Sequence, residues 1–64
     1  MTREQAEYAL ANGLKVKERK PDFYNETERG LIFKFHGDHA DCVIVTWRGG
    51  FRSLELIEHL ELAS

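Results

Sequence analysis

The spacing of hydrophobic and polar positions changes several times along the chain, and each change marks an element. Thr2-Arg3-Glu4-Gln5 has the form of a capping box, in which the Thr2 hydroxyl accepts from the Gln5 backbone N–H and the Gln5 side chain reaches back. Behind it Ala6, Ala9 and Leu10 share one helical stripe with Tyr8 at its border, while Arg3, Glu4 and Glu7 face water. Asn12-Gly13 closes the helix, because glycine enters the left-handed conformation at little cost. The pattern predicts a helix over residues 3–12. It has to dock on other structure, since so short a helix does not persist alone in water.

From Leu14 the period falls to two. Residues 14–19 alternate apolar and charged side chains, which predicts a strand with one solvated face, and its outward lysines suit a sheet edge. Lys20-Pro21 ends it. Residues 21–30 form a long polar loop, in which Phe23 and Tyr24 either fold back over the core or form part of a contact surface. A second strand is predicted over residues 31–36 with Leu31, Phe33 and Phe35 inward, followed by a polar turn over residues 37–41.

Residues 42–47 read as the central strand. Val43, Val45 and Trp47 share one face, toward the interior, and Ile44 and Thr46 share the other, toward the helix. Gly49-Gly50 predicts a two-residue hairpin turn, and residues 51–56 a fourth strand that buries Leu54 and Leu56. A 3₁₀ turn and a brief closing strand over residues 61–63 complete one domain spanning residues 1–64.

Composition narrows the class. The 64 residues leave room for one small core, so a partner or a second copy of the chain is a natural source of further buried surface, and a homodimer is one expectation. With 42% hydrophobic and 31% charged residues the chain is that of a globular protein rather than a disordered one. The net charge of −2 exerts no general pull toward nucleic acid or anionic membrane. Its distribution is uneven, because residues 15–52 hold eight of the nine basic groups against six acids, whereas residues 53–64 hold three acids and no base. One cysteine, Cys42, allows no internal disulfide, and no signal peptide or membrane span is visible. These features point to the cytoplasm.

The glycine and apolar spacing in Gly13-Leu14-Lys15-Val16-Lys17, Arg29-Gly30-Leu31-Ile32, Val45-Thr46-Trp47-Arg48-Gly49-Gly50 and the closing residues 54–62 resembles the Src-homology-three type of small barrel. Its Tudor and KOW relatives are the most similar. The resemblance implies a mainly-β fold: a small five-stranded barrel over residues 14–63 with a short N-terminal α-helix. It also implies a binding module rather than an enzyme. Tudor-like members hold a methylated side chain in an aromatic cage, for which Phe23, Tyr24, Trp47 and Phe51 supply rings, with Glu26 or Glu28 nearby. In-register alternation instead sends Trp47 into the core. KOW-like members contact nucleic acid, and Lys15, Lys17, Arg19 and Lys34 form the corresponding basic stripe, with Arg48 and Arg52 near it.

Candidate chemistry is sparse. His36, His39 and Cys42 are metal-binding types close in sequence, but no second Cys or His pair completes a four-ligand set, and Gly37 and Asp38 are ordinary turn formers. A nucleophile and base drawn from Cys42 and His36 or His39 lacks a pocket and an oxyanion donor. The sequence therefore assigns no catalytic residue, no metal and no cofactor. It predicts a non-enzymatic module that binds a protein as an adaptor, inhibitor or regulatory subunit, a description that small virus-encoded regulators also fit. The expected contacts are Phe23, Tyr24, Arg48 and Arg52. The alternative is a nucleic-acid-binding module.

Overall fold

The computed structural model describes residues 1–21, 27–37 and 39–63. The loop residues Phe23, Tyr24 and Glu26 lie outside these, so neither the lid nor the contact reading of that loop is decided. Helix α1 (Arg3–Asn12) carries the capping box, with Gln5 N–H donating to Thr2 Oγ1 at 3.1 Å and Thr2 N–H to Gln5 Oε1 at 2.9 Å. Gly13, at φ 63°, closes it and donates to the Ala9 carbonyl. Ala6 and Ala9 are buried, whereas Tyr8 and Leu10 stay exposed.

Strands β1 (Lys15–Glu18), β2 (Gly30–His36), β3 (His39–Trp47), β4 (Arg52–Leu56) and β5 (Leu60–Leu62) follow, with a 3₁₀ turn over Ile57–His59. They form one antiparallel sheet in the order β4-β3-β2-β1-β5. β1 thus lies between β2 and β5 rather than at an edge. One core contains Ala6 and Ala9 of the helix together with Val16, Ile32, Val43, Val45, Trp47, Ile57 and Leu60. The helix and the central β3 side chains therefore share one face. The expectation that the helix covers Ile44 and Thr46 is corrected, and these two lie half-buried on the opposite face.

Two local irregularities decide which side chains reach the core. Trp47 and Phe51 close the hairpin, with Trp47 N–H donating to Phe51 O at 2.8 Å and Gly50 N–H to Trp47 O at 2.9 Å. The loop therefore has three residues, not two. Gly49 and Gly50 sit at φ 93° and 91°, which side chains rarely adopt. The extra residue moves the register by one: Val45 pairs with Ser53 and Ile44 with Leu54. Leu54, predicted inside, is 55% exposed, and Ser53 and Glu55 take the inward positions.

In β2 the register slips between Ile32 and Lys34, leaving Phe33 as the extra residue of a bulge. Ile32 and Phe35 then both face the core, opposite Val45 and Val43. Leu31 and Phe33, predicted inside, are 43% and 46% exposed.

The five-stranded Src-homology-three-like barrel, and with it the Tudor and KOW resemblance, is corrected by the sheet itself. The sheet is open, and β4 and β5 are its two edges, with no pairing between them. Carboxylates lie along the unpaired side. Glu18 ends β1 and Glu55 lies on β4, and both line a cleft of about 510 Å³ with Arg19 and Lys20 and a second of about 260 Å³ with Glu28 and Trp47. Closing the seam would take these charges out of water at several kcal/mol apiece. β5 is also short and partly occupied: Leu60 N–H donates to Ile57 O, and Leu60 O accepts from the Met1 amine at 2.6 Å.

Candidate interaction surface

The face of the sheet away from the helix carries an unusual mixture. Register places Leu31, Lys34, Ile44, Thr46, Arg52 and Leu54 on it, with Phe33 emerging at the bulge. Among the described residues no element covers Leu31, Phe33 and Leu54, the three large apolar side chains exposed there. Scattered single apolar residues are normal on a surface, but here Leu31 and Phe33 of β2 and Leu54 of β4 flank the half-buried Ile44 and Thr46 of β3 on one face, the kind of surface that marks interaction sites.

Cations frame the patch. The Arg52 guanidinium lies 4.1 Å from the centre of the Phe33 ring, and its Nε donates to Thr46 Oγ1 at 3.3 Å. Lys34 Nζ lies 5.8 Å from the same ring. Two positive groups thus lie within cation–π range of one aromatic ring. Lys15 is exposed beside Leu31, its register partner. A cleft of about 560 Å³ opens here, into which Lys15, Arg29 and Arg48 bring positive charge and Leu31 and Trp47 apolar surface, with no carboxylate among its described lining residues.

The residues singled out by sequence are therefore divided. Arg52, Lys34 and Lys15 share the outer face, and Arg48, on the hairpin, joins them through the basic cleft. Lys17 also points outward but is 3.4 Å from Glu61 Oε1 across the β1–β5 pair. Arg19 lies one residue past β1, where its Nη1 donates to the Glu58 carbonyl at 3.2 Å and it lines the 510 Å³ cleft with Glu18 and Glu55. Phe23 and Tyr24 lie outside the described residues. The apolar members Leu31, Phe33 and Leu54 were not legible as surface, because the signals that expose them are a bulge and the length of a loop.

The inner end of the sheet has the opposite charge. Trp47 Nε1 donates to Ser53 Oγ at 2.6 Å, and Ser53 Oγ donates in turn to Glu55 Oε2 at 2.6 Å. The indole is 6% exposed and belongs to the core, while Phe51 is exposed. With the Tudor resemblance withdrawn, the cage reading has nothing left to carry it. Cys42 pairs with Leu56, and its Sγ lies 3.7 Å from Asp41 Oδ1. Loss of solvent around the thiol, and then the Asp41 carboxylate as neighbouring charge and hydrogen-bond acceptor, push its pKa up, so at neutral pH it stays a thiol. Among the described residues no group of three His, Cys, Asp or Glu side chains is placed to hold a metal, and no helix is long and apolar enough to cross a membrane.

Comparison of the chain with protein-family models, with curated proteins and with solved structures finds no match.

Proposed function

We propose that the chain is a non-enzymatic interaction module that binds a protein through the outer face of its sheet, as an adaptor, inhibitor or regulatory subunit. The observation that supports this reading is the uncovered set Leu31, Phe33 and Leu54 framed by Lys15, Lys34, Arg48 and Arg52. Such a surface suits a partner that brings apolar side chains and carboxylates together. The apolar anchors supply affinity, and the cations supply on-rate and orientation.

The test is capture from lysate at low salt by the wild type, by Leu31→Ser with Phe33→Ser, and by Lys15→Glu with Arg48→Glu, with folding checked by circular dichroism. The expected result is a retained protein, insensitive to nuclease, that both double variants lose by tenfold or more. Equal capture by all three chains refutes the assignment. A second reading draws on the Phe33 ring near Arg52 and Lys34: bases stack on rings while cations track phosphates. Retention of a single-stranded oligonucleotide that falls steeply between 50 and 200 mM salt selects it instead.

A further inference from the structure

We propose that β4 is a self-pairing edge: two copies of the chain join β4 to β4 across a two-fold axis at Leu54, making one continuous ten-stranded sheet. The argument begins with where the edge groups point. Trp47 N–H donates to Phe51 O, and antiparallel bonding alternates along a pair, so Ser53 and Glu55 direct their backbone groups at β3. Arg52 and Leu54 therefore direct theirs away from the sheet, as does the Leu56 N–H, while the Leu56 carbonyl caps the 3₁₀ turn over Ile57–His59. Among the described residues nothing pairs with that edge. An exposed strand edge with unpaired donors and acceptors is a template for another strand.

The residues then choose the partner and the register. With the axis at Leu54, Leu54 faces its own copy, Arg52 faces the other copy's Leu56, and Ser53 faces the other copy's Glu55. The two Leu54 residues exchange two bonds and each Leu56 N–H reaches the other copy's Arg52 carbonyl, for about four inter-chain bonds. Moving the axis to Arg52 or Glu55 sets like charges directly opposite, which is destabilising. Moving it to Ser53 leaves the Leu56 N–H unpaired and sets Phe51 opposite the Glu55 carboxylate. A head-to-tail pairing of β4 with β5 is disfavoured, because β5 has three residues and the Leu60 backbone groups are already engaged. The self-match from residue to residue selects a second copy rather than a foreign strand. Pairing also joins the two Leu54 side chains, and with them the two outer apolar faces.

Sedimentation at concentrations up to about 1 mM tests this, since an interface of one short strand is weak. The wild type is expected to double its mass reversibly. Leu54→Lys and Leu54→Glu are each expected to raise the dissociation constant at least about tenfold, and their equimolar mixture to restore association as a heterodimer. The side chain is 55% exposed, so the folded monomer tolerates the change. Should a substitution unfold the chain, synthetic protein N-methylated at Leu54 gives the same reading, because that N–H faces away from β3. A wild type that stays monomeric, Leu54→Lys that still dimerises, or a mixture that does not associate overturns the proposal.

Discussion

Gly30 carries the sharpest stability prediction. It lies opposite Trp47 in the β2–β3 pair and is buried. Its φ is not in the left-handed region, so the backbone itself would accept alanine. Space would not. A Cβ at this position would lie 2.6 Å from Val45 Cγ1, 2.9 Å from Trp47 Cε3 and 3.0 Å from the Thr46 carbonyl oxygen. Carbon atoms rest at about 3.5–4.0 Å, and two of these neighbours are core side chains, while the third is the backbone of the paired strand.

Overpacking of this kind costs about 1–3 kcal/mol. The total stability of a domain this size is roughly 3–10 kcal/mol, so Gly30→Ala removes a large part of it. Thermal unfolding followed by circular dichroism and Trp47 fluorescence is expected to show a midpoint lowered by about 5–20 °C. Val45→Ala takes away the nearest clashing methyl. The double variant is therefore expected to be more stable, by about 1 kcal/mol, than the two single effects added together. Gly30→Ala within about 0.5 kcal/mol of wild type, or strict additivity with Val45→Ala, would refute the packing argument.

Three further outcomes follow from the same geometry. Ile32→Ala, at a site 6% exposed, is expected to cost about 2–4 kcal/mol in urea unfolding, and Phe33→Ala, at a site 46% exposed, about 1 kcal/mol or less; the reverse order would remove the bulge from the description of β2. Thr2→Ala removes the hydroxyl that accepts from the Gln5 N–H, leaving the Thr2 backbone N–H bond to Gln5 Oε1, and is expected to lower stability by about 1 kcal/mol and to increase amide exchange in the first turn of α1, with unchanged exchange counting against it. Because the folded Cys42 thiol has a raised pKa, less thiolate is present near pH 8 than in an unstructured peptide. Alkylation there is expected to be slower than in such a peptide and to quicken in Asp41→Asn, and equal rates in variant and wild type would dismiss the carboxylate's part.

What the chain reveals without coordinates is what depends on near neighbours. A capping box, a glycine at a helix end and a β-branched run are each set by interactions within a few residues, so α1, the 3₁₀ turn and the strands themselves can be read from the letters. The inward run Val43, Val45 and Trp47 is legible too, because alternation inside an unbroken strand has only two phases.

Tertiary structure decided the phase of everything paired to that strand. One additional residue in the Trp47–Phe51 loop turns Leu54 outward and Glu55 inward, and one bulged residue exchanges Ile32 for Leu31 and Phe33. Side chains in a strand alternate with period two, so a single-residue shift reverses faces, and apolar letters on both sides of the phase hide it. Openness of the sheet is decided in the same way. Glu18 and Glu55 belong to distant parts of the chain, and only the register brings both to the same two clefts, where burying a carboxylate costs several kcal/mol unless a cation pairs with it.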